Sequence, residues 1–141
     1  PILYVWVHPK DIFFKKGKMQ TDRLPQTMQK WQRRLGLSDW EIEVAYLSCI
    51  DINQAQGRVT TNSNAQTAQI RLMSPDDRQK NDPNDRDIEL DLVHELIHVR
   101  LWAVAPTGAE RSELEAKCLE QAIDWMARAM LSAERANLPK K

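Results

Sequence analysis

The chain has 141 residues, and its 20 basic and 20 acidic side chains balance to a formal charge of zero. That length suits one domain with a core that needs no disulfide staples. The balance leaves no basic field to favour nucleic acid or a membrane surface, and no run nears the roughly 18 apolar residues of a spanning helix.

Residues 2–7 are β-branched and aromatic and predict a strand or an extended arm, within an N-terminal arm of about residues 1–20. The stretch is too short for the core of a secretory signal. His8, just before Pro9, reads as a turn residue rather than a metal ligand, and 11–20, with Phe13, Phe14 and three lysines, reads as a loop. A helix capped at Thr21 or Asp22 follows, with Pro25 in its first turn. Leu24, Met28, Trp31 and Leu35 fall on one stripe of it, Gly36 ends it, and Lys30, Arg33 and Arg34 are left for solvent.

Residues 40–47 alternate: Trp40, Ile42, Val44 and Tyr46 share one face and Glu41 and Glu43 the other, the pattern of a half-buried strand. Residues 56–61 and 67–73 predict a hairpin across the turn-rich 62–65, with Ala68, Ile70 and Leu72 facing inward. Residues 74–87 are charged, contain Pro75 and Pro83, lack the EF-hand spacing, and read as a solvated loop. At its end Asp82 and Pro83 are placed to start a helix that runs to about Ala103 or Val104, where Pro106 and Gly108 stop it. Ser112 and Glu115 form a capping box for a last helix, with Cys118, Leu119, Ala122, Ile123, Met126 and Met130 as its apolar stripe and a frayed tail over 136–141. Cys49 and Cys118 lie apart, with no C-x-x-C spacing, and read as small buried residues of a reducing compartment. The expectation is a cytoplasmic α+β domain spanning 1–141.

The chemistry lies in His94-Glu95-Leu96-Ile97-His98, an H-E-x-x-H motif within an apolar helical run. Residues four apart share a helix face, so His94 and His98 can direct two imidazoles at one metal ion. Glu95 sits where a carboxylate can take a proton from the attacking water. Burying two imidazoles and a carboxylate among Leu92, Val93, Leu96, Ile97 and Val99 is costly without a partner, which favours a bound ion, zinc by ligand type.

A catalytic zinc takes a third protein ligand, and no histidine follows His98. The candidates on the last helix are Glu110, Glu113, Glu115 and Glu120. Glu110 and Glu113 precede or open that helix, and Glu115 is engaged in its capping box, although a helical wheel alone favours it. Glu120, at the edge of the stripe, is the choice and Glu115 the alternative. Asp124, one turn on, can support a ligand histidine.

His94-Glu95-x-x-His98 followed by Glu120-x-x-x-Asp124 resembles the gluzincin pattern of zinc peptidases. Over about residues 31–130, including Leu35-Gly36-Leu37, Asp39-Trp40, the 68–72 strand and Glu120-Gln121-Ala122-Ile123, the chain is similar to small phage and prophage zincin-like proteins and to ImmA/IrrE-type peptidases. The resemblance implies a minimal zincin-like fold: an N-terminal helix, a small sheet, the motif helix and a glutamate helix. It implies one zinc ion held by His94, His98 and Glu120, and Glu95 as general base. It also implies a protein or peptide substrate lying along residues 66–73 as the sheet edge. Larger gluzincins carry a tyrosine or histidine that steadies the oxyanion, and Tyr4 and Tyr46 are the tyrosines available. The alternative is a zincin-fold metal-binding module with little or no catalysis, acting by protein contact.

Overall fold

The apolar stripe of the first helix finds its partners as the spacing predicts. A computed structural model describes residues 4–6, 19–53, 55–81 and 87–139. Within it α1 spans Met19–Arg34, and Leu24, Met28 and Trp31 are buried, with Leu35 half-buried beside them. The helix starts before the expected cap, so Pro25 lies in its interior rather than its first turn. A proline there forgoes one ladder bond, and the buried Leu24–Met28–Trp31 stripe offsets it. The basic face is not simply solvated. Lys30 pairs with Glu89 at 3.0 Å, Arg34 pairs with Glu134, and Trp31 Nε1 donates to Glu89 at 2.6 Å. His8 and most of the 11–20 stretch lie outside the described residues, while Met19 and Gln20 belong to α1 rather than a loop.

Four strands form one sheet: β1 (Tyr4–Trp6), β2 (Glu41–Leu47), β3 (Gly57–Asn62) and β4 (Thr67–Met73), in the order β1-β2-β4-β3. β2 runs parallel to both β1 and β4, and β3 and β4 form the expected hairpin. Ile42, Val44 and Tyr46 stand opposite Ala68, Ile70 and Leu72 and are buried with them on one face. The expectation that 66–73 is the sheet edge is overturned. β4 is paired on both sides, because the 48–56 connection carries the chain past one position and β4 returns to fill it. The edge at that end is β3. Met73 donates to the Gln56 carbonyl directly opposite it, at 2.9 Å. Bonding alternates along an antiparallel ladder, so Gly57, Val59 and Thr61 turn their backbone groups to the free edge.

The charged stretch expected as a loop contains a helix, α2 (Pro75–Asn81), with Pro75 first and Asp76 and Asp77 in its first turn. It has no apolar stripe to betray it. It is held by Arg78, which is 2% exposed. Arg78 Nε donates to the Met73 carbonyl at 2.8 Å, Nη2 to the Gln56 carbonyl at 2.8 Å, and Nη1 to Asp91 of the next helix.

That helix, α3 (Ile88–Arg100), is capped by Asp87, whose Oδ1 accepts from the Glu89 amide at 2.8 Å. The predicted start at Asp82 and Pro83 lies outside the described residues, and the helix begins five residues beyond that proline. It also ends at Arg100 rather than 103 or 104, in a turn where Leu101 donates to Ile97 at 2.9 Å. α3 is buried nearly all round because it packs on β3, β4, α1 and the last helix together.

α4 (Glu113–Ala136) starts at the predicted cap, where the Ser112 hydroxyl accepts from the Glu115 amide at 3.1 Å. Its buried stripe is rotated from the expected one. Ile123, Ala127 and Leu131 are covered, whereas Cys118, Ala122 and Met126 face out. Both cysteines are free, Cys49 half-buried and Cys118 exposed, against the expectation of two buried thiols. Among the described residues no helix is long and apolar enough to cross a membrane.

Candidate metal centre

The motif lies where α3, β3 and α4 meet. His94 and His98, one turn apart, present their rings to α4 with centroids 5.1 Å apart. α4 answers with Glu120. Its Oε2 lies 2.8 Å from His94 Nε2 and its Oε1 2.9 Å from His98 Nε2, so one carboxylate spans both imidazoles. The three side chains offer ligand atoms all within 4.8 Å of one another, a group that can hold a metal ion. Two imidazole nitrogens and a carboxylate suit such an ion.

The rotation of α4 decides which glutamate arrives. Glu120 lies three residues before Ile123 and seven before Ala127, on the face turned to α3. Glu115 lies a turn earlier, exposed at the Ser112 cap, and Glu110 and Glu113 are exposed as well. Asp124, one turn beyond Glu120, brings Oδ1 to 3.5 Å from His94 Nδ1 and accepts from Arg128 Nε at 2.9 Å. The Asp124–Nδ1 contact is too long for a good hydrogen bond, and Nδ1 is buried with no such partner among the described residues. A ring whose Nε2 faces two ligand groups and whose Nδ1 faces a carboxylate has the setting of a metal-bound histidine.

Charges at the centre are unequal. The hydrogen bond to His94, then that to His98, holds the Glu120 carboxyl far below the usual range, against the effect of its partial burial. Burial opposes the imidazolium of His94, yet the Glu120 hydrogen bond and the charges of Glu95, Glu120 and Asp124 outweigh it and raise its pKa. Glu95 is outside the ligand group and is 7% exposed. Burial pushes its pKa up to about 7, against the pull of His98 and His94.

Gly57 explains how that carboxylate fits. A β-carbon on Gly57 would stand 2.8 Å from Glu95 Oε1, so the edge strand can lie against Glu95 only where it carries no side chain. The sequence reading passed over Gly57 and the Arg78–Asp91 pair. A lone glycine opening a strand is a signal of close backbone approach, but nothing local says what approaches. Tyr46 is buried in the core below β2 and lines neither cleft beside the centre.

Two clefts flank the metal group. One, of ≈ 340 Å³, lies on the His94 and Asp124 side. The other, of ≈ 470 Å³, runs from Glu95 and His98 along β3 to the 105–109 loop. No family model matches the chain, and no curated protein and no solved structure matches it.

Proposed function

We propose that the chain is a zinc-dependent metallopeptidase of minimal zincin-like fold, of the gluzincin type its motifs resemble. One observation carries the reading: a buried carboxylate, Glu95, stands beside the His94–His98–Glu120 group without belonging to it. A site that only bound metal would not need it, and burying it is costly. The plan of a motif helix, a glutamate helix and a mixed sheet with one antiparallel edge supports the same reading.

Zinc in this group would acidify a water molecule and polarise the scissile carbonyl. The residues of the chain supply the rest. His94, His98 and Glu120 hold the ion, and Asp124 sets its carboxylate charge beside the buried Nδ1 of His94. Glu95 takes a proton from the attacking water and delivers it to the departing nitrogen, a role its buried place beside the ligand group suits. The substrate strand pairs with β3 through the free backbone groups of Gly57, Val59 and Thr61.

The test is to incubate the zinc-loaded protein and its Glu95→Gln variant with a cell lysate and map new protein termini. Cleavage by the wild type alone is expected. A second reading, a zincin-fold metal-binding module acting by contact, is favoured by one feature: among the described residues no tyrosine lines either cleft to steady an oxyanion. Equal silence from both proteins, with metal bound, would decide for that module.

A further inference from the structure

The cleft along β3 has a closed end. Thr61 Oγ1 lies 2.6 Å from Thr107 Oγ1, which ties the edge strand to the loop that follows α3. Arg111 curls that loop into place, with Nη2 donating to the Pro106 carbonyl at 2.8 Å and Nη1 to the Ala109 carbonyl at 3.5 Å. Gly108, at φ +75°, permits the curl. Glu95 meets the strand at Gly57, four residues before Thr61. An extended chain that follows the edge from the metal group therefore reaches the loop after about 14 Å.

The charge at that end is one-sided. Two arginines line the cleft, Arg58 and Arg111, and among the described residues the carboxylates that line it are Glu95 and Glu120 of the site itself. Alternation along β3 turns the Arg58 side chain to the opposite face of the sheet, where Nη2 donates to the Ile52 carbonyl at 3.2 Å. Arg111 remains at the closed end, and among the described residues no carboxylate pairs with it. Its two carbonyl bonds use only part of a guanidinium with five N–H donors.

We infer that this cleft receives the carboxy-terminal end of a polypeptide, with Arg111 binding the terminal carboxylate and the 105–109 loop barring further residues. The inference rests on the metallopeptidase reading and narrows it: the bond cut lies about three or four residues from the carboxy terminus, the number an extended chain places along about 14 Å. The acyl carbon gains the hydroxyl of water, the C–N bond breaks, the nitrogen gains the proton, and a short carboxy-terminal peptide departs. A side-chain carboxylate offers Arg111 the same chemistry, but the closed end favours the terminal one.

The test uses zinc-loaded Glu95→Gln protein, so that binding is read without turnover. The probes are amino-terminally fluorescent hexapeptide pools of randomised sequence, made as free acids and as carboxy-terminal amides, with a third pool ending in aspartate or glutamate amide. Fluorescence anisotropy is expected to show the free acids binding at least 10-fold more tightly than both amide pools. Adding Arg111→Gln is expected to abolish that preference, bringing acid binding down to that of the plain amides. Equal binding of acid and plain amide overturns the inference. So does acidic-amide binding as tight as the free acid, or an Arg111→Gln loss that falls on acids and amides alike. Hydrolysis is read separately on wild-type protein with the same pools by mass spectrometry. Silence there tells against the peptidase reading while the binding preference still stands or falls on its own, and cleavage at no fixed distance from the carboxy terminus overturns the inference.

Discussion

Glu95 keeps its proton to about pH 7 because its carboxyl is packed against the β3 backbone at Gly57, away from water. Its folded pKa stands above the ordinary 4.5, so its contribution to stability is fully present below about pH 4.5 and is lost as pH rises through 7. In the metal-free protein, Glu95→Gln mimics the protonated form. It should therefore raise stability at pH 8 by about 2–3 kcal/mol and change it by under about 1 kcal/mol at pH 5. Urea unfolding in a chelator at the two pH values measures this, and an equal difference at both would contradict the account. Gly57→Ala asks the geometric question. Its new methyl meets the far end of a flexible side chain, so the fold should survive while the carboxylate moves. Zinc affinity should hold, and hydrolysis should fall by roughly 10–100-fold, the usual effect of a misplaced reacting group.

At the scale of elements, the centre depends on how α4 lies on α3. Ala127 and Ile123 let the two helices pack closely, and Glu120 follows from that rotation. Calorimetric zinc titration should show His94→Ala, His98→Ala and Glu120→Ala each losing the site, with Glu115→Gln unchanged. Asp124→Asn should weaken binding by roughly 10–100-fold, as carboxylates behind ligand histidines do. A Glu115→Gln variant that lost zinc would show that the wrong glutamate has been assigned. The other decisive contact is the buried Arg78–Asp91 pair, which joins α2 and the entry to β3 to the motif helix. Removing one partner strands the other charge, so Asp91→Ala should lower stability by about 3–5 kcal/mol. The double change Arg78→Met with Asp91→Leu should recover only the part due to the stranded charge, because the Met73 and Gln56 carbonyls still lose Arg78. Denaturant titration of the wild type, Arg78→Met, Asp91→Leu and the double decides it, and additive losses would refute the pairing.

Over the whole molecule, a bound metal and the fold would be linked. Donors from α3 and α4 come together only in the folded chain, so zinc, if it is the ion this group holds, would bind the native state and stabilise it. Free zinc at 100 times its dissociation constant should add about 2.7 kcal/mol, and a chelator should remove it. A melting temperature indifferent to zinc would argue that the three side chains hold no ion.

The sequence by itself determined what depends on neighbours along the chain. The α1 stripe, the alternation of β2 and β4, the Ser112 cap and the one-turn spacing of His94 and His98 were legible because local periodicity sets which residues share a face. Glu120 was legible as the preferred ligand among four glutamates, with Glu115 left open as the alternative. The tertiary structure decided the rest, because each remaining point turns on contacts between segments far apart in the chain. β4 is interior and β3 the edge because strand order follows from crossover, not from pattern. α2 exists because one buried arginine finds two carbonyls and a carboxylate that no local signal announces. Glu120 reaches the histidines, and Glu115 does not, because the buried face of α4 is set by what α3 offers it.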